Sequence, residues 1–440
     1  MPLNLPTYTI NKIDEKEHDI IFHLFTIEKP TICINCHEKS LRKYRKRTQF
    51  YFDIPSRGKR VGLQIEIQSY LCKECNKSFQ EPLEDISKSH NMTIRLVEYI
   101  ENKSLQRPFT HLADEVGCVE GTIRKIFKNH VNELQDKYKF ETPKVMGIDE
   151  IHLAKRVRAV ITNIEKKTII EMFKDRNKTT IISYLKGLEN SHIVLNVAID
   201  MWKPYRDSVN DVIPSAIVVI DKFHVVKMAN SALEKYRKEL KSSLTSKQRI
   251  DLKNDRFLLL KRKKTLTDRE SFLISYWENN YPILAKMYYL KEQFFEIYEA
   301  KNKDEAYDRY LKFEQELTSE VKPYFSDLTR ALGNWHKEIF AYFDYPVTNA
   351  YTEAMNSVIR HVDRMGRSYS FETIRAKMLY TKSIHKTQKP KIDKSFNKIS
   401  NGIGMFKCSI SKSIEKPKNY GVDLVELSKS IQNDTFKFET

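Results

Sequence analysis

A chain of 440 residues, 40% of them apolar, is too long for one ordinary domain and long enough to bury several cores. Lysine and arginine outnumber aspartate and glutamate by 76 to 58, a net charge of +18, which favours a polyanionic partner over an acidic one. No apolar run approaches the roughly 20 residues of a spanning helix, and the first 30 residues lack a basic start followed by an apolar stretch. A cytoplasmic protein with no membrane partner is expected, associated with the nucleoid when bound to DNA.

Residues 1–30 form a lead without a clear pattern. Residues 31–88 carry two cysteine pairs and strand-like alternation, as in residues 61–68, and predict a small β-rich module. Over residues 89–140 the period changes. Apolar side chains recur at helical spacing around Ile94, Leu112 and Ile123, which predicts three short helices. From residue 141 to 230 strands come first in a run and then alternate with helices, the pattern of a mixed sheet with helices on its faces. No glycine occurs between Gly187 and Gly333, and residues 231–335 read as a long all-helical insertion. The sheet domain resumes over 336–385, and 386–440 is a basic C-terminal tail.

Cys33-x2-Cys36 and Cys72-x2-Cys75 set two thiols on each of two tight turns, the spacing of a closed four-sulfur Zn²⁺ site. A redox pair or an iron-sulfur site is the alternative. Cys118 and Cys408 have no partner spacing and read as ordinary thiols. Between the pairs stand nine basic residues, Arg45, Lys46 and Arg47 among them, against three acidic ones. Phosphate contact is one use of such a run and a solvated face the other.

In residues 109–130, the apolar face of Leu112, Ala113 and Val116 precedes Gly117, and Val119, Ile123 and Ile126 bury the next helix. A helix-turn-helix has this pattern, with Thr122, Arg124, Lys125 and Lys128 on or near the outward surface. A module of three packed helices that binds nothing shares it.

Asp149 is expected to end one apolar strand and Asp221 another, where carboxylates converge and can hold two divalent ions, or simply cap the following helices. A third carboxylate is sought on a packed helix. Glu353 fits, with Asn356 and Arg360 on its side and Met355, Val358 and Ile359 on the burying face. Asp200 is either an auxiliary carboxylate or a helix cap. His224 either orients water or phosphate or is satisfied locally. The aromatic residues Tyr276, Trp277, Tyr288, Tyr289, Phe294 and Phe295 either stack on unpaired DNA or form the core of the insertion.

Together the cysteine pairs, the two-helix pattern, Gly147-Ile-Asp149-Glu150, Asp221-Lys-Phe-His224 and Asn349-x3-Glu353-x2-Asn356 resemble the ISL-three family of bacterial insertion-sequence transposases over residues 30 to 385. The resemblance implies an RNase H-like sheet domain interrupted by the helical insertion, with Asp149, Asp221 and Glu353 as the DDE residues holding Mg²⁺ or Mn²⁺. It further implies binding to double-stranded DNA at the element's terminal inverted repeats and at the target, strand cleavage and transfer, and a homo-oligomer in the DNA complex. Where the family commonly has glycine around the glutamate, this chain has Ala350 and Ala354. A non-catalytic DNA-binding protein derived from a transposase is the other functional reading.

Overall fold

The computed structural model describes residues 3–367 and 369–381; the tail read over 386–440, with Cys408, lies outside the described residues. The chain divides into two compact units. Among the described residues, one holds those up to Lys139 together with Val362 to Thr381, and the other holds Phe140–His361.

The first unit is built on a five-stranded sheet of β1 (Tyr8–Glu15), β2 (Asp19–Thr26), β3 (Leu41–Ser56), β4 (Lys59–Cys72) and β5 (Ser78–Gln80). The order is β1-β2-β4-β3, with β5 also on β4; β2 runs parallel to β4 and the other pairs are antiparallel. The lead of the chain is therefore part of a sheet. β1 is exposed at almost every position, so no alternation announces it. Arg57 and Gly58, both at positive φ, close the β3–β4 hairpin in two residues, as the twist of paired strands favours. Leu63, Ile65 and Ile67 of β4 meet Phe22 and Leu24 of β2 in the core.

Three helices follow: α1 (Ile94–Ser104), α2 (Phe109–Val116) and α3 (Glu120–Lys137). Thr93 caps α1 by accepting the Leu96 N–H. Gly117 ends α2 at φ 85°, a conformation that side chains resist.

The second unit holds β6 (Val145–Leu153), β7 (Arg156–Asn163), β8 (Thr168–Met172), α4 (Lys178–Lys186), β9 (Asn196–Ile199), α5 (Lys203–Val212) and β10 (Ile217–Ile220). Its sheet order is β10-β9-β6-β7-β8; β6, β7 and β8 are antiparallel, while β9 and β10 run parallel to β6. Asp149 does not end its strand. β6 continues to Leu153 and turns at Ala154 and Lys155, both left-handed, so Asp149 sits mid-strand.

Eight helices come next: α6 (Lys222–Leu240), α7 (Ser246–Asn254), α8 (Arg256–Leu260), α9 (Asp268–Asn280), α10 (Pro282–Ile297), α11 (Lys303–Gln315), α12 (Ser326–Asn334) and α13 (His336–Asp344). Trp277, Tyr288, Phe294 and Phe295 are buried among them, so these four rings serve the core; Tyr276 and Tyr289 are exposed. α14 (Ala350–Gly366) and α15 (Phe371–Tyr380) complete the described chain. α15 belongs to the first unit. There the Phe109 N–H donates to Tyr369 Oη at 3.0 Å, and the buried Lys377 ammonium donates to Arg107 O at 3.0 Å and to Ser104 O. Among the described residues no helix is long and apolar enough to cross a membrane.

Candidate functional site

The four paired cysteines meet at one end of the first sheet. Cys33 Sγ lies 3.7 Å from Cys75 Sγ and Cys36 Sγ lies 3.6 Å from Cys72 Sγ. A tetrahedron of ~2.3 Å zinc–sulfur bonds has edges of about 3.8 Å, so the four sulfurs fit structural zinc. Burial would raise Cys33, but the backbone N–H groups of Asn35 and Cys36 bring its thiol down to about 6. Against the Glu38 N–H, which lowers it, burial and the three neighbouring thiols push Cys36 up, as closely packed sulfurs titrate together.

In the second unit, Gly147 of β6 lets α14 reach the sheet. A Cβ there would fall 2.5 Å from both Asn349 Oδ1 and Thr352 Oγ1 and 2.6 Å from Thr162 Oγ1. Those side chains form a buried polar seam. Asn349 Nδ2 donates to Ile148 O at 3.1 Å, Thr352 donates to Asn349 Oδ1, and the Thr162 and Thr352 hydroxyls are 2.7 Å apart. One turn along α14, Asn356 Nδ2 donates to Asp149 Oδ2 at 2.7 Å and to Glu150 O at 3.2 Å. The Glu150 N–H donates to Asp149 Oδ1 at 2.7 Å. Both Asp149 oxygens thus have a donor.

Asp221 follows β10 and begins α6, which turns His224 toward two carboxylates. His224 Nε2 lies 3.0 Å from Asp200 Oδ1 and 3.2 Å from Glu353 Oε1. Neither approach has hydrogen-bond alignment, so His224 Nε2 and Asp200 Oδ1, like Asp221 Oδ2, are buried without a hydrogen-bond partner in the described structure. Burial and the Glu353 charge push Asp221 up to about 6. Burial, with Asp200 beside it, raises Asp149 well above the usual carboxylate range. Burial would lower His224, but Asp200 and Glu353 carry it up to about 10.

Four carboxylates crowded at one sheet edge, two of them with an orphaned oxygen, form the oxygen-rich setting a hard divalent cation prefers. Ligand atoms of Asp221, His224 and Glu353 lie within 4.8 Å of one another. Asp149 is turned instead to Asp200 and Asn356. Sequence reasoning left out Arg176, whose guanidinium is 4.1 Å from the Trp202 ring centroid and pairs with Glu150 beside this edge. Nothing in local spacing links these three residues.

The cationic candidates fare unequally. Arg45, Lys46 and Arg47 are exposed on β3, but Lys46 pairs with Glu66 at 2.7 Å and Arg47 donates to Gln80 at 2.8 Å. Thr122 is in the first turn of α3, and Lys125 and Lys128 are exposed. Arg124 is held by Glu120 at 2.6 Å and lies 5.2 Å from the Phe109 ring centroid. Arg360 is exposed on α14.

Comparison with known proteins adds four findings. The ISL3 family profile, described as transposase, matches residues 146–378, more than half of the chain. A second profile, the zinc-finger of the IS204/IS1001/IS1096/IS1165 transposases, matches residues 29–75, which include all four paired cysteines. The transposase for insertion sequence element IS1557 of Mycobacterium tuberculosis is 23% identical over 256 residues, 52% of this chain and 57% of that protein. The transposase for IS1001 of Bordetella parapertussis is 20% identical over 345 residues, 77% of this chain and 83% of that protein. The match thus spans little more than half of the IS1557 protein and most of the IS1001 protein. On the sheet domain and the cysteine module together, the chain belongs to the ISL-three family of insertion-sequence transposases.

Proposed function

We propose that this transposase is of the DDE type and cuts and rejoins DNA at the ends of its own element. The observation that carries the reading is the convergence of Asp149, Asp200, Asp221 and Glu353 around His224, with Asp221 Oδ2 and Asp200 Oδ1 buried and unsatisfied. Asp149, Asp221 and Glu353 hold Mg²⁺ or Mn²⁺, with His224 and Asp200 as auxiliary groups. Such cations, when bound, supply Lewis acidity to the attacking and leaving oxygens of a phosphodiester. Asn356 orients Asp149 through its 2.7 Å bond. The seam of Asn349, Thr352 and Thr162 seats α14, and with it Glu353, against β6. Asp221 must be deprotonated to act as a ligand, which its pKa of about 6 allows at neutral pH.

Three antiparallel strands followed by two parallel ones support an RNase H-like domain over residues 141–230 and 336–385, interrupted by the helices of 231–335. The left-handed Gly117 between α2 and α3 supports a helix-turn-helix over 89–140, beside a zinc module over 31–88. Both modules would bind the terminal inverted repeats, in a homo-oligomer that brings two ends together in the cytoplasm.

A labelled fragment carrying the DNA that flanks its own gene tests the proposal. Cleavage should require Mg²⁺ or Mn²⁺ and vanish in Asp221→Ala while binding persists. Cleavage that survives the substitution overturns the assignment. A second reading gives Asp221's role to Asp200, because β9, which leads into Asp200, is hydrogen-bonded directly to β6, whereas β10 is one strand further out. Under it Asp200→Asn, and not Asp221→Asn, loses both cleavage and the rise in melting temperature on adding Mn²⁺.

A further inference from the structure

The basic strand of the zinc module is not a uniform charged rim. Over residues 42–48 β3 is an edge strand, paired only with β4 and exposed without a break, whereas further along Phe52 also bridges to Met92. Its pairing with β4 slips twice, once between Asp53 and Ser56 beside the hairpin and once between Lys43 and Arg45. Lys43 stands opposite Tyr70 and Arg45 opposite Ser69, so Tyr44 is an extra residue, a β-bulge.

The bulge changes which side chains share a face. Directly paired residues project from the same face of a sheet, and neighbours along a strand project from opposite faces. Arg42, Arg45 and Arg47 pair with Leu71, Ser69 and Ile67, which alternate along β4, so the three arginines share one face. Lys43 and Lys46, opposite Tyr70 and Gln68, take the other. In an unbroken strand Arg42 would stand apart from Arg45 and Arg47.

The arginine face is also that of Gln49 and Tyr51, opposite Ile65 and Leu63. Arg47, Gln49 and Tyr51 form one wall of a groove of about 560 Å³ whose other wall includes Lys88, His90 and Thr122 at the start of α3. Lys125 reaches the same place, since its charge, after burial, holds His90 below its ordinary value. Among the described residues Arg42 and Arg45 form no ion pair, whereas Lys46 is held by Glu66. The free cations of Arg42 and Arg45 thus stand on the same strand face as Arg47, which with Lys88 lines a groove running to the start of α3.

We infer that the bulge-aligned arginine face of β3 and the start of α3 grip a single DNA duplex across this groove, with Arg42 and Arg45 on the backbone phosphates. A cationic edge strand also deters edge-to-edge aggregation, but that role has no need of one face over the other. The face is what the inference turns on. It rests on the reading of the chain as a DNA-binding transposase, deepens it, and is tested by binding alone, so a failure of cleavage leaves it standing.

Binding of the full-length protein to a fluorescent duplex carrying the element end, and to one of unrelated sequence, is measured by anisotropy across a salt series without Mg²⁺. Each phosphate contact adds about one unit to the slope of log K against log salt. The double variant Arg42→Gln, Arg45→Gln should lower that slope by about 2 on both duplexes. Lys43→Gln, on the opposite face, should leave it unchanged, and Lys125→Gln should lower it by about 1. Zinc content and the melting curve confirm that each variant is folded. Equal losses in Lys43→Gln and the double variant, or an unchanged slope in the double variant with only poorer solubility, overturn the inference. So does tighter binding of single-stranded DNA or RNA than of duplex.

Discussion

Gly147 is where α14 comes closest to the central strand, and a methyl group there meets three buried oxygens at 2.5 to 2.6 Å. Gly147→Ala should lower stability by about 1–3 kcal/mol, the usual cost of overpacking, and weaken cleavage with it. An unchanged melting temperature would show that the helix yields without strain. Asn356→Ala removes the donor to Asp149 Oδ2 and to the Glu150 carbonyl. Leaving those acceptors bare should cost about 1–3 kcal/mol and shrink the thermal stabilisation that Mn²⁺ confers. Calorimetry with and without Mn²⁺ reads both effects. Motif spacing made Glu353 and Asn356 neighbours on a helix. It could not show that Asn356 is buried and spends its amide on Asp149, because that bond joins residues 207 positions apart.

At the scale of elements, α15 is held by a buried lysine. Lys377 is 3% exposed, with its ammonium 4.5 Å from the Phe109 ring centroid and 5.1 Å from that of Tyr369. Burial, with the Arg124 charge, lowers it from 10.5 to about 7, against the carbonyls and rings that favour the charged form. The unfolded chain then binds the proton better between pH 7 and 10.5, so stability rises with pH across that window and is lost as pH falls through about 7. His224, raised to about 10, acts with the opposite sign over the same range, so the test is a difference: the stability of the wild type relative to Lys377→Met should climb between pH 7 and 10 in denaturation curves, and parallel profiles would mean that the folded lysine stays charged. The cysteine knuckles give a second test. Cys72→Ser should abolish bound zinc, measured by elemental analysis, and expose residues 31–80 to protease. The knuckles, the three helices and the strand–helix alternation were legible because each rests on local spacing. β1 was not, since an edge strand exposed along nearly its whole length shows no hydrophobic period. The strand ending at Asp149 was read too short, because the apolar run stops where the strand only changes partners and polarity.

For the whole molecule, the first unit is discontinuous in sequence, drawing on residues up to Lys139 and again on the described residues from Val362 to Thr381. A fragment ending at Lys139 lacks the Tyr369 hydroxyl that receives the Phe109 N–H and the Lys377 amine that meets Ser104 O. It should melt earlier than the same fragment with a peptide of residues 362–383 added; equal melting would show that the returning segment contributes nothing. Such a return cannot be read from composition or period, since only contact defines it. The parallel pairing of β2 with β4 is of the same kind.

The extra residue at Tyr44 of β3 works as a parity switch. Inserting or deleting one residue ahead of Tyr44 would exchange the side chains on the two faces upstream while leaving those from Arg45 onward where they are. A lineage could thereby alter which charges meet a ligand without changing the identity of any amino acid. In such a strand, length variation is as informative as substitution, and an alignment that closes the gap at Tyr44 would superpose residues that look in opposite directions.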